Sequence, residues 1–127
     1  MDLRAHRWNR IFRPDGRTVI FAMDHAAAFG MMEGIEKPGE VVKRVADGGA
    51  DAILTTFGIA KNFGKEIGKM GLVLRCDGGT SKLGAPAAGS LTVNAYDALR
   101  VGADAVGVMG LPGSKFEDTQ LPYLAEL

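Results

Sequence analysis

Residues 49–53 read Gly-Ala-Asp-Ala-Ile, and residues 102–106 read Gly-Ala-Asp-Ala-Val. The two pentapeptides share one grammar. A glycine closes a helix, an aspartate occupies the turn, and apolar residues open a strand. The second begins 53 residues after the first, the length of two β/α units. The echo therefore marks a repeated architecture and not a site.

Around these two anchors the chain alternates between two hydrophobic periods. Thr18–Met23 (TVIFAM), Ala52–Thr56, Gly71–Arg75 and Ala105–Met109 are continuous apolar runs, the pattern of parallel strands buried on both faces. The intervening segments have helical spacing. Leu3, Trp8, Ile11 and Phe12 line one face of a predicted N-terminal helix over residues 3–12, which would cover an apolar surface. Pro38 opens a second helix with Val41, Val42, Val45 and Ala46 as its stripe, and Gly48 and Gly49 stop it. A short helical stretch broken at Gly64 follows the second strand. Thr92 is expected to cap a helix running through Ala98, and a last helix begins at Lys115 with Phe116, Leu121 and Leu124. Pro14-Asp15-Gly16 and Gly110–Ser114 read as turns, and Ala26–Gly39 and residues 76–91 as loops. The order βαβαβαβα predicts a parallel α/β sheet with right-handed crossovers. A (β/α)8 barrel takes ~250 residues and eight units; the 127 residues here hold half of each. Three readings stand at this point: a truncated piece of a barrel, a half that pairs with another half, or a small open sheet.

Composition narrows the function classes. Fifteen Lys and Arg balance fifteen Asp and Glu, which argues against a general nucleic-acid binder or an anionic-membrane module. The single cysteine, Cys76, forms no internal disulfide. No apolar run approaches the ~18–20 residues that span a bilayer, and the first residues lack the apolar core of a secretory signal. A chain of a reducing, cytoplasmic compartment with neither nucleic-acid nor membrane partner is expected.

The residue best placed for chemistry is Asp24, with His25 beside it, where the first strand ends. In β/α barrels the C-terminal ends of the strands face the active site. A carboxylate there can orient a substrate hydroxyl or relay a proton, and a histidine adds a group titrating near neutrality. The only histidines are His6 and His25, so the three-ligand sets of catalytic zinc cannot be assembled and no metal or cofactor is expected. Asp24 and Asp77, at the ends of strands one and three, make a magnesium pair geometrically conceivable. Cys76 reads as a small semi-buried apolar residue. The glycine-rich turns at Asp77–Thr80 and Gly110–Ser114 fit neither dinucleotide nor nucleoside-triphosphate fingerprints. None of the seven lysines lies inside a strand, so the residues offer an acid/base group and no convincing nucleophile.

The segment Arg10–His25 (RIFRPDGRTVIFAMDH) resembles the opening of the archaeal-type class I fructose-bisphosphate aldolases. These belong with the DeoC/LacD-like aldolases, as do the autoinducer-2 phosphate thiolase and the aminodeoxyheptulosonate synthase. Gly49–Ala60, Gly71–Ser81 and Val101–Glu117 look similar as well, in order, across nearly the whole chain. The resemblance implies the N-terminal half, four β/α units, of a (β/α)8 TIM barrel, with residues 1–127 forming one partial domain. It implies a carbon–carbon lyase that forms a Schiff base between a lysine and a phosphorylated sugar or ketone, such as fructose 1,6-bisphosphate, in a homo-oligomer. Asp24, and with it His25, carries over as the catalytic pair beside the substrate hydroxyls; no cofactor or metal is implied. The family's imine-forming lysine, its tyrosine acid/base and most of its phosphate site belong to later strands and would fall after Leu127. The chain alone is therefore expected to be a fragment without aldolase activity. Thiolase or synthase chemistry, or a non-catalytic half-barrel that pairs with itself or a partner, are the alternatives.

Overall fold

The computed structural model describes residues 3–78 and 89–127. The N-terminal helix α1 spans Leu3–Ile11. β1 (Ile20–Met23) leads into a single helical turn, α2 (Ala26–Phe29), where the sequence predicts only loop. α3 (Pro38–Asp47) follows with proline in its first turn, then β2 (Ala52–Thr55), α4 (Phe57–Asn62), α5 (Gly64–Ile67) and β3 (Gly71–Arg75).

The predicted loop at 76–91 instead contains two short antiparallel strands, β4 (Asp77–Gly78) and β5 (Ser90–Leu91), with Asp77 opposite Leu91. α6 runs Ala95–Arg100, β6 Ala105–Gly107, and the last predicted helix is two short ones, α7 (Glu117–Gln120) and α8 (Tyr123–Glu126), divided at Leu121-Pro122. Proline lacks the amide that would continue a helix. The cap of α6 also differs from expectation. Asn94, not Thr92, accepts from the Asp97 amide at 2.9 Å. The Thr92 hydroxyl donates to the Cys76 carbonyl at 3.2 Å and ties the β5 end to β3.

β1, β2, β3 and β6 form one parallel sheet in that order. Ile20 pairs with Ala52, Ala52 with Gly71, and Val73 with Ala105. Side chains alternate across the sheet. One face carries Met23, Ile53, Thr55, Leu72 and Leu74, all buried in a core with Val41 and Val42 of α3, Ala60 of α4, Ile67 of α5 and Ala98 of α6. The Thr55 hydroxyl, wholly enclosed, donates to the Met23 carbonyl at 3.1 Å. The opposite face carries Leu54, Val73, Arg75, Ala105 and Gly107, each half-buried. It is the wall that would line a barrel interior.

α1 covers the N-terminal ends of the strands. It seats on Ile11, which is buried; Trp8, expected to help cover that surface, stacks on Phe12 with ring centroids 4.0 Å apart and is itself 59% exposed. The two aspartates of the pentapeptide echo hold this end together. Asp51 accepts from the Val19 amide at 2.8 Å and from Arg13 Nε at 2.7 Å. Asp104 accepts from the Leu72 amide at 2.9 Å, and its other oxygen lies 3.4 Å from Arg10 Nη1. Asp51 thus clips the start of β1 to Arg13, just past α1, and Asp104 clips the start of β3 to Arg10 of α1. Before each, a glycine with positive φ (Gly49, 84°; Gly102, 76°) ends the helix in the left-handed turn that glycine adopts without a steric penalty.

Candidate functional site

Four elements converge at the C-terminal ends of the strands. β1 ends at Met23 and delivers Asp24, β3 ends at Arg75, β4 begins at Asp77, and the chain leaving β6 brings Met109. Arg75 is the centre. Its Nη1 donates to Asp24 Oδ2 at 2.6 Å, its Nε donates to Asp77 Oδ1, and its Nη2 lies 3.4 Å from Asp77 Oδ2. The Met109 amide donates to the same Asp77 oxygen at 3.0 Å. One guanidinium thus bridges two carboxylates, and Asp77 also locks the end of β6 to β3. The three side chains are 18%, 13% and 7% exposed for Arg75, Asp24 and Asp77, so water screens them less than surface ion pairs. Burial opposes the charge on Arg75, but the hydrogen bonds and charges of Asp77 and Asp24 outweigh it and hold the guanidinium above its ordinary value.

Over this group lies a cavity of about 350 Å³, bordered by Asp24, His25, Phe29, Arg75, Asp77 and Met109. His25 stands exposed at its rim, where α2 begins. The structure therefore places both predicted residues, Asp24 and His25, at one opening. A second hollow, about 430 Å³, lies at the other end of the strands beside α1. Its Arg13 and Asp51 bind each other in the clip already described, which fits the stabilising role of that end of a barrel.

The chemistry available follows from this arrangement. Asp24 is an acceptor fixed in one orientation by Arg75, next to a cavity of small-metabolite size. Asp24 and Asp77, which the sequence made conceivable as a cation pair while no metal was expected, meet here around Arg75. Among the described residues no three His, Cys, Asp or Glu side chains gather as metal ligands. Cys76 is fully buried, and burial first, then the charge of Asp77, pushes its thiol above the ordinary range. That environment suppresses the thiolate a nucleophile requires. Lys61, Lys65 and Lys69 are exposed, and Lys115 rests its ammonium 4.9 Å from the Phe116 ring centroid. Lys82, Gly79 and Thr80 lie outside the described residues.

Sequence reasoning missed Arg75 as a site residue, although the signal was present. An arginine ending an otherwise apolar strand needs a buried partner, and Asp77 stands two residues on. The partnership with Asp24 spans 51 residues, and only the sheet order brings it about.

Known proteins share this frame. A 2-amino-3,7-dideoxy-D-threo-hept-6-ulosonate synthase of Halobacterium salinarum is 32% identical over 124 residues, 98% of this chain and 46% of its own. A class 1 fructose-bisphosphate aldolase of Thermoproteus tenax is 30% identical over 128 residues, 97% of this chain and 48% of its own. An archaeal fructose-1,6-bisphosphate aldolase, solved with its catalytic lysine covalently bound to the carbinolamine intermediate of the substrate, superimposes with a TM-score of 0.80 at 28% identity. That match covers 96% of this chain and 50% of the other. The chain spans about half the length of the curated relatives it matches, as four parallel strands of an eight-stranded barrel should. The model of the DeoC/LacD family aldolases matches residues 18–127, and on that match, with its half-barrel sheet, the chain belongs to the DeoC/LacD aldolase family.

Proposed function

We propose that these residues form the N-terminal half of the active site of a class I, Schiff-base aldolase acting on a phosphorylated ketose such as fructose 1,6-bisphosphate. In this reading Asp24 receives the substrate hydroxyls and holds or moves the proton at the carbon chain, and His25 closes the rim. Arg75 holds Asp24 in place without touching the carbon that reacts. The observation that carries the reading is the Asp24–Arg75 bond at the mouth of the cavity: a fixed acceptor at a barrel's catalytic end. The imine-forming lysine is not among the 127 residues in this reading, so they bind substrate without cleaving it. The synthase relative supports a second reading, in which the same acceptor serves carbon–carbon bond formation by transfer.

Two measurements on the 127-residue chain test this. In a nitrogen-15 titration with dihydroxyacetone phosphate, the amides of Asp24, His25, Arg75 and Met109 are expected to shift together, and Asp24→Asn to abolish the effect. No shift at those residues would overturn the binding role. Borohydride added to the same mixture is expected to leave the intact mass unchanged. A mass gain equal to the reduced adduct would place an imine lysine within these residues and refute the division of labour.

A further inference from the structure

The cavity at the catalytic end has two unlike parts. Its floor is the charged group of Asp24, Arg75 and Asp77. Two carboxylates against one guanidinium leave a negative charge in excess there, and His25 stands above at the exposed rim. Its walls are apolar. One set comes from α2, with Ala28 and Phe29, and the other from the chain leaving β6, with Met109 and Leu111. Phe29, Met109 and Leu111 are 55%, 43% and 45% exposed, so they offer open surface and not core. Both sets are tied down by their backbone. The Phe29 amide donates to the His25 carbonyl at 2.8 Å, and the Met109 amide donates to Asp77 Oδ2 at 3.0 Å.

The Gly110–Ser114 turn follows Met109 and has the glycine content of a loop that cradles anions with backbone amides. In the structure its amides are engaged within the chain. The Gly113 amide donates to Glu117 Oε2 at 2.8 Å, the Ser114 amide to the Leu111 carbonyl at 3.1 Å, and the Phe116 amide to the Ser114 hydroxyl at 3.2 Å. The chain's own carboxylate thus fills the turn. A phosphate arriving there would have to displace a group of its own sign, beside a floor that already repels it. An occupant that suits this cavity offers a neutral hydroxyl to Asp24 and hydrocarbon to the walls.

We propose that the substrate end seated between α2 and the chain leaving β6 is an uncharged alkyl group. The site then prefers a ketose with one phosphate and a short hydrocarbon end to a bisphosphate. The part given to Asp24 rests on the aldolase reading above; the alkyl seat rests on the cavity alone. Within that reading the inference chooses among phosphorylated ketoses. Fructose 1,6-bisphosphate carries phosphate at both ends and meets these walls with a charge in either orientation.

1,2-Alkanediols are unreactive probes with a donor for Asp24 and an alkyl tail for the walls. Titrated into the nitrogen-15-labelled chain, 1,2-propanediol, 1,2-butanediol and 1,2-hexanediol are expected to bind in rising order. The gain should be about twofold per added CH2, since half-open walls give less than the roughly fourfold of full burial. The amides of Ala28, Phe29 and Leu111 are expected to shift with the tail, and glycerol 3-phosphate to leave those three unmoved. Affinity that does not rise with tail length overturns the proposal. So does glycerol 3-phosphate moving the three amides at lower concentration than 1,2-hexanediol. Phe29 lies outside the buried core, and Phe29→Ser is expected to flatten the series; a series that survives it unchanged overturns the alkyl seat as well. The two readings fail separately. A response to dihydroxyacetone phosphate at Asp24 without a diol series overturns the alkyl seat alone. A diol series with no response to dihydroxyacetone phosphate upholds the seat and overturns the aldolase reading of Asp24.

Discussion

Asp51 does two jobs with one carboxylate: it receives the Val19 amide and the Arg13 guanidinium. Its hydrogen bond to Arg13, followed by that to Val19, holds its pKa below the ordinary carboxylate value. A lowered folded-state pKa stabilises the fold at every pH above the unfolded value of ~3.9, and that contribution disappears as pH falls through the lower folded value. Asp51→Asn is therefore expected to unfold at lower urea than the parent chain near neutrality, with the difference closing below about pH 4. A difference that stays constant into acid would show that the charge of Asp51 is not what holds the clip. Arg75 sets a different problem. Its removal strands two mostly buried carboxylates 51 and two residues away in sequence. Breaking one side of a fully buried pair costs about 3–5 kcal/mol. With these side chains partly exposed, Arg75→Met is expected to lose about 2 kcal/mol in urea unfolding at neutral pH. Arg75→Lys should recover only part of it, since an ammonium cannot fork between two carboxylates. Full stability in Arg75→Met would mean that water already satisfies Asp24 and Asp77.

At the scale of elements, the least tolerant contact is where α1 crosses β3. A Cβ at Gly71 would stand 2.7 Å from the Arg10 carbonyl oxygen and 2.9 Å from Ile11 Cγ1. The first obstacle is backbone, which has no rotamer to escape into, so α1 must lift. Gly71→Ala is expected to cost about 1–3 kcal/mol and to speed hydrogen exchange throughout Leu3–Ile11. Unchanged exchange in that helix would mean that the strand, not the helix, yields. Elements with a period of their own were legible beforehand. Val41 and Val42 mark α3, and Gly71–Arg75 has its predicted bounds. Those whose order comes from a distant partner were not. α2 is a single turn, and β4 and β5 are two residues each, too short for any pattern. Thr92 and Asn94 are both good caps by residue type. The pairing of Thr92 with the Cys76 carbonyl leaves the cap to Asn94.

On the scale of the whole molecule, the sequence by itself determined the class of fold. Four unbroken apolar runs separated by helical spacing leave only a parallel sheet with crossovers, because each run must be dry on both faces. It also placed Asp24 and His25 just past the C-terminal end of the first strand, where the structure finds both bordering one cavity. What the tertiary structure alone decided is who meets whom. The order β1-β2-β3-β6 puts Arg75 between Asp24 and Asp77, turns a conceivable cation site into an ion-paired triad, and gives the two pentapeptide aspartates equivalent tasks. Local sequence encodes periodicity and turns because these depend on neighbours three or four residues away. A bond across 51 residues depends on strand order and register, which no local spacing records.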